Sequence, residues 1–376
     1  MQYRYFTKDK LKISLIGFGC MRFPILNNDL GLIDEKLATD MLHFAIDNGV
    51  NYIDTAYPYH QGKSEQFVGK ALRNGFRDKI YLATKSPVWL VETYEDFEKY
   101  LDEQLKNLET DYIDFYLLHS LSEKSFSKIV ELKVFDFLNE AKKKGKIKYA
   151  GFSFHDELPL FKSIVDSYNW DFCQIQLNYI DRQYQAGIDG MKYAKEKGLS
   201  VVIMEPIKGG KLATASEEIK EIWNESDIKR TPAEWALKWL YNFDEISVVL
   251  SGMSTIDQVI ENIKTSNGDD TSSLSTNEVA LIDRVAQVYK EKIKVGCTAC
   301  EYCMPCPSNV SIPGIFDMYN NIYVYGTGEQ SKLSYTKLQE LGKDVSKCVE
   351  CGACENICPQ HLNIISLLKD AGKALI

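Results

Sequence analysis

Between residues 14 and 253 the chain repeats one alternation eight times: a short apolar run, then a longer amphipathic stretch. The runs are SLIGFG (14–19), YIDTA (52–56), IYLATK (80–85), IDFYLLH (113–119), YAGFSF (149–154), FCQIQLNY (172–179), SVVIMEP (200–206) and SVVLSGM (247–253). Each carries few charges, as strands buried on both faces of a parallel sheet must. Helical spacing fills 35–48, 64–74, 94–108, 128–144, 158–168, 187–197, 231–242 and 256–264. Eight β–α units over about 250 residues predict an α/β fold, a (β/α)8 TIM barrel. The alternative, a doubly wound open sheet, usually opens on G-x-G-x-x-G. Here the first turn reads Gly17-Phe18-Gly19-Cys20-Met21-Arg22 and lacks the third glycine. Ahead of it, YRYFT and LKISLIG flank a Lys-Asp-Lys turn and predict a hairpin closing the barrel bottom. Residues 265–276 read as a polar loop. A helix over 277–292 then leads to a domain boundary near 290, separating 1–290 from 291–376.

Charge and hydropathy narrow the function classes. The net charge is −9 with no long basic block, which argues against nucleic acid as a partner. The one basic stretch, KKKGKIK (142–148), suits a helix C-terminus. No apolar run reaches about 18 residues, and MQYRYFTKDK lacks an apolar signal core, so the expected location is the cytoplasm, without a membrane partner.

Three consecutive predicted strands end in ionisable residues: Asp54, Lys85 and His119. Tyr59 follows Asp54 by five residues, in DTAYPYHQGKSE. Singly, each has a plain structural reading: a cap, a solvated strand end, a buried imidazole, one tyrosine of 22. Together, at the C-terminal ends of adjacent barrel strands, they predict a proton-transfer site. A phenol with a pKa near 10 donates poorly at neutral pH, and a neighbouring Lys favours the phenolate. Asp54 would hold Lys85, His119 would donate to a developing oxyanion, and Tyr59 would act as general acid toward a carbonyl.

These residues resemble the aldo-keto reductase family. DTAxxYxxGxSE spans Asp54, Tyr59, Gly62, Ser64 and Glu65; ATK ends at Lys85 and LLH at His119. The resemblance covers residues 1 to about 288. It implies NADP or NAD lying extended across the barrel mouth, and a small carbonyl or alcohol as substrate. By the same resemblance Ser153 and Gln174 meet the carboxamide, Asp54 lies near the nicotinamide ribose, and Gly19, Cys20 and Met21 approach the cofactor. Met204, Glu205, Pro206, Ile207 and Gly210 line the pyrophosphate. Gly252, Met253, Ser254, Gln258, Glu261 and Asn262 hold the adenosine end. The chain departs from the family at four positions. Phe154 stands where Asn is usual, Met204 where a Tyr stacks on nicotinamide, and uncharged Gly252 and Gln258 where basic residues meet a 2′-phosphate. Lys208, Lys211 and Lys264 are the cations left to take that role, and NAD versus NADP stays open. Phe23, Trp89 and Leu90 suggest an apolar pocket wall.

Cys20 and Cys173 sit in apolar runs and read as buried side chains. The other eight cysteines fall in Cys297-x2-Cys300-x2-Cys303-x2-Cys306-Pro and Cys348-x2-Cys351-x2-Cys354-x3-Cys358-Pro. Three thiolates at i, i+3 and i+6 wrap one cubane, and the fourth of each run serves the other cluster. That assigns Cys297, Cys300, Cys303 and Cys358 to one [4Fe-4S] cluster, and Cys348, Cys351, Cys354 and Cys306 to a second. Two zinc sites are the alternative. Residues 307–347 carry two helical stretches, so the tail resembles a small α-helical ferredoxin-like domain, as in the ferredoxin-fused branch of the aldo-keto reductases. Nicotinamide chemistry moves electron pairs and clusters move single electrons. A flavin, bound here or on a ferredoxin or flavoprotein partner, is the natural converter. Beside a carbonyl reductase stand two further readings: an electron-transfer module and a non-catalytic redox sensor.

Overall fold

The computed structural model covers residues 1–376 and describes all of them except 7, 28, 268–273, 298–302, 359 and 360. By its contacts the chain divides into two units. One comprises Met1–Gly210 and Ala233–Ser275, the other Lys211–Pro232 and Thr276–Ile376.

The first unit opens with the expected antiparallel hairpin, β1 (Tyr3–Phe6) and β2 (Leu11–Ser14). Eight parallel strands follow: β3 (Ile16–Gly19), β4 (Tyr52–Asp54), β5 (Tyr81–Ser86), β6 (Ile113–Leu121), β7 (Ile147–Phe154), β8 (Phe172–Gln176), β9 (Ser200–Met204) and β10 (Ile246–Gly252). They close into a barrel in the order β10-β3-β4-β5-β6-β7-β8-β9. Every residue of β4 and β8 is buried, which is why these runs read as continuously apolar rather than alternating. Phe6 and Ile13 of the hairpin join Tyr52, Phe115, Phe172 and Val248 in one core cluster. Phe6 meets Phe115 edge-on with ring centroids 4.7 Å apart. No helix among the described residues is long and apolar enough to cross a membrane.

Three sequence expectations need correction. The stretch 128–144 is two helices, Glu123–Glu131 and Val134–Lys143, because Lys133 adopts a left-handed φ of 60° between them. The predicted loop at 265–276 begins late, since the helix from Ile256 runs on to Asn267; residues 268–273 lie outside the described residues. Residues 217–224, assigned to no element, form a helix that buries Ile219, Ile222 and Trp223 on one face.

In the second unit that helix lies beside Thr276–Lys292, joined to it by Lys292–Glu218 at 2.8 Å and by an Arg284–Glu225 pair. Beyond it come helices Ile312–Val324, Gly328–Glu340, Ala353–Ile357 and Ile364–Leu375. Val310, Ile312, Ile315, Phe316, Ile364 and Leu368 form a small core, against which Cys297, Cys303, Cys306, Cys348, Cys354 and Cys358 pack.

Candidate active site and cysteine-lined cavity

Register sets the level of the barrel mouth. Gly252 pairs with Gly19, and Gly19 with Asp54, so three neighbouring strands end together. Lys85 lies one strand further on, paired with Leu117. The Lys85 ammonium donates to Asp54 Oδ1 at 2.6 Å, to the Thr55 carbonyl at 2.9 Å and to Tyr59 Oη at 3.3 Å. Lys85 is 1% exposed and Asp54 2%. Tyr59 reaches this point from a tight turn, Tyr59–Gly62, in which His60 and Gln61 hold left-handed φ values of 52° and 53°. The His60 ring anchors the turn through Nδ1, 3.0 Å from the Leu30 carbonyl. The His119 ring stands 6.2 Å from that of Tyr59 and 5.2 Å from that of Trp89. The four residues singled out in sequence therefore meet.

Burial decides their protonation. It pushes the Asp54 carboxyl up, against the pull of Lys85. Burial would lower the Lys85 ammonium, but Asp54 and Tyr59 outweigh it and raise the group. The Tyr59 phenol is also raised, by burial first, with Lys85 opposing. Lys85 does pull the phenol down, as expected, but desolvation exceeds that pull and leaves the group above its ordinary value. His119 is held well below its ordinary value by burial and then by Lys85 and His155, so its imidazole is neutral.

A second buried layer supports the first. Glu65 accepts from Thr84 Oγ1 and Gln104 Nε2, each at 2.6 Å. Gln104 Nε2 also donates to the Lys85 carbonyl at 3.0 Å, and its Oε1 accepts from Tyr116 Oη at 2.9 Å. Thr55 and Ser64 hydroxyls lie 2.9 Å apart. Glu65 and Ser64 were visible only as motif letters; Gln104, inside an amphipathic helix, gave no signal except its lone polar place on the inner face.

The residues expected to meet a nucleotide fall around the same mouth. Ser153 pairs with Gln174 across β7 and β8, and Ser153 Oγ accepts from the Ser120 N–H at 2.7 Å, beside His119. Gln174 Nε2 reaches Met204 Sδ at 3.7 Å. Gln174 Oε1, Asp54 Oδ2 and His119 Nδ1 are buried and take no hydrogen bond within the protein. Such orphans are costly unless a bound group meets them, so the donor and acceptor set fits a carboxamide and an oxyanion. Cys20 is buried and Met21 exposed. Glu205 adopts a φ of 55°, Pro206 is buried, and Ile207 leads into Gly209 and Gly210, whose φ values of 66° and 95° need glycine. Ser254 N–H donates to Gln258 Oε1 at 2.8 Å, and Asn262 Nδ2 to Ser251 Oγ at 2.9 Å. Met253 is buried beside them; Glu261 lies on the helix Ile256–Asn267. Lys208 is paired with Asp181, and Lys211 with Asp317 at 3.0 Å, so neither ammonium is free for a 2′-phosphate. Phe23 packs among Phe18, His60 and Phe67 and is a core residue, whereas Trp89 and Leu90 remain exposed.

In the second unit a cavity of about 190 Å3 is lined by five cysteines, Cys303, Cys306, Cys348, Cys351 and Cys354. Four of them are the thiols assigned to one cubane from spacing; the fifth, Cys303, is assigned to the other. They surround a volume instead of converging on a point: among the described residues no three His, Cys, Asp or Glu side chains are placed to hold one metal ion. Cys306, Cys348, Cys351 and Cys354 are free thiols. The donor set and the space between the thiols fit a polynuclear cluster. Of the other set, Cys300 lies outside the described residues, while Cys297, Cys303 and Cys358 pack on the same core.

Comparison with known proteins agrees with both halves. The profile of the Aldo/keto reductase family matches residues 15–287, and that of a 4Fe-4S dicluster domain matches 296–363. The chain is 30% identical over 302 residues to an uncharacterized oxidoreductase, YqkF, of Bacillus subtilis, covering 71% of this chain and 92% of that protein. It is 25% identical over 323 residues to the NADH-specific methylglyoxal reductase of Escherichia coli, covering 74% and 96%. The holo form of an aldo-keto reductase from Bacillus halodurans superposes with a TM-score of 0.63 at 28% identity, covering 76% and 96%.

Proposed function

Because this chain belongs to the aldo/keto reductase family, we propose that it reduces a small carbonyl compound, or oxidises the corresponding alcohol, with Tyr59 as the general acid and base. The observation that carries the reading is the single ammonium of Lys85, buried and shared between Asp54 Oδ1 and Tyr59 Oη. A nicotinamide dinucleotide, NADP or NAD, supplies the hydride when bound, with Ser153 and Gln174 facing its carboxamide. In the reducing direction Tyr59, kept protonated by burial, gives its proton to the substrate oxygen. The phenolate left behind is stabilised by the Lys85 ammonium, which Asp54 keeps charged and aimed. Neutral His119 offers one N–H to the same oxygen, and Trp89 edges the space above it. Solvent returns the proton to Tyr59. The methylglyoxal reductase among the relatives supports a small carbonyl and a nicotinamide dinucleotide.

We further propose that the barrel domain is residues 1–290. Residues 291–376 then hold two [4Fe-4S] clusters, on Cys297, Cys300, Cys303 and Cys358 and on Cys348, Cys351, Cys354 and Cys306. The cavity that brings Cys306, with Cys303, to Cys348, Cys351 and Cys354 supports the pairing of Cys306 with the distant run. Bound clusters supply one-electron transfer, which suits a ferredoxin or flavoprotein partner, or a flavin, as second reactant. Replacing Tyr59 by Phe tests the core of the reading. Carbonyl turnover falls by about two to four orders of magnitude while dinucleotide affinity is kept; full activity in Tyr59→Phe would remove the phenol from the mechanism.

A further inference from the structure

Arg22 ends a short 3-10 turn, Cys20–Arg22, directly after β3. Its side chain crosses two glycines on other loops. A Cβ placed at Gly252, the end of β10, would lie 3.1, 3.2 and 3.3 Å from Cδ, Cγ and Cβ of Arg22. One placed at Gly209, in the loop after β9, would lie 3.0 Å from its Nη2. The aliphatic stem therefore runs over Gly252 and the guanidinium ends over Gly209. The backbone beneath is fixed as well, since Ser254 Oγ donates to the Arg22 carbonyl at 2.8 Å. Yet the residue is exposed, and among the described residues no carboxylate or carbonyl takes its guanidinium N–H groups. Lys208, in the same loop as Gly209, is already paired with Asp181.

A cation held at both backbone and stem, with its fork of N–H donors left open, is prepared for an oxyanion that the protein does not itself contain. It stands between the loops that follow the seventh and eighth barrel strands, where barrels of this kind bind phosphate. We propose that Arg22 makes the charged contact to the pyrophosphate of the bound dinucleotide. The glycines at 209 and 252 are what allow an arginine from the first barrel strand to reach it. This rests on the nucleotide-dependent reading above and extends it. The guanidinium lies at the Gly209 loop, so it meets a group common to NAD and NADP, and it leaves their discrimination to other residues.

The test uses the full chain, purified without oxygen, and measures Kd by fluorescence for NADH and NADPH, with ADP-ribose as a competitor lacking nicotinamide. Arg22→Met keeps the stem and removes the charge. All three affinities fall by about tenfold, the NADPH-to-NADH ratio moves by less than about twofold, and the salt dependence of binding becomes shallower. Arg22→Lys, which keeps the charge without the fork, recovers part of the loss. Unchanged ADP-ribose affinity in Arg22→Met overturns the proposal. Loss confined to NADPH also overturns it, since the contact would then be to the 2′-phosphate. A wild-type chain that binds neither dinucleotide removes the underlying reading, a result separable from both.

Discussion

Lys85 and Asp54 form an ion pair of 2.6 Å with almost no solvent access, on adjacent strands of the barrel. Such a pair adds little net stability over an apolar pair, but breaking it is costly, because one charge stays buried alone. Lys85→Met is expected to abolish turnover and to destabilise the chain by about 3–5 kcal/mol near pH 8. The pH dependence follows in sign. Burial already raises the Asp54 carboxyl, and loss of Lys85 raises it further. A carboxyl with a folded pKa above its unfolded value of about 3.9 favours the fold below that value and less so as pH rises. The stability gap between wild type and variant should therefore widen from pH 5 to pH 8 in urea unfolding. An equal gap at both would show that no charge is stranded.

Tyr59 is raised above its ordinary value near 10 and His119 lowered far below its ordinary value near 6.5. Neither then titrates between about pH 7 and 9. The rate of carbonyl reduction should be flat across that range and fall only on the alkaline side, as the phenol loses its proton. A descending limb centred near neutrality would mean that a different acid supplies the proton.

Gln104 touches no reacting group, yet it ties the Lys85 carbonyl to buried Glu65 and Tyr116. Gln104→Leu leaves all three partners short of a hydrogen bond, a loss of about 2–3 kcal/mol. If the residue positions Lys85, kcat falls while dinucleotide Kd and KM hold. A stability loss with unchanged kcat would reduce it to a structural role.

The cavity at Cys306, Cys348, Cys351 and Cys354 makes iron content divisible. Wild type purified without oxygen should carry about eight irons, four per cluster. Cys351→Ser and Cys297→Ser should each lower that figure by about half, with separate changes in the visible spectrum. Zinc in place of iron, or four irons unaffected by Cys351→Ser, would contradict the assignment.

The eight strands were legible because strands buried on two faces must be apolar throughout, and Cys20 and Cys173 because apolar runs bury what they contain. The helices at Glu217–Asn224 and Ile364–Leu375 carried the right spacing, with Ile219, Ile222 and Trp223 or Ile364, Leu368 and Leu375 on one face. They went unassigned because one short apolar stripe competes poorly with turn-rich surroundings. The break at Lys133 had no sequence mark at all, since a left-handed lysine is set by packing on both sides.

The chain alone determined which chemistry is present: a phenol, an amine, a carboxylate and an imidazole at strand ends, and two cysteine runs of cluster spacing. Those are local facts of residue type and interval. Tertiary structure decided which groups meet and in what surroundings. It opened one cavity among Cys303, Cys306 and a run more than forty residues away in sequence. It also let burial outweigh the pull of Lys85 on Tyr59, because desolvation depends on everything that surrounds the phenol. And it laid Arg22 across Gly209 and Gly252, a contact between three segments that only barrel closure brings together.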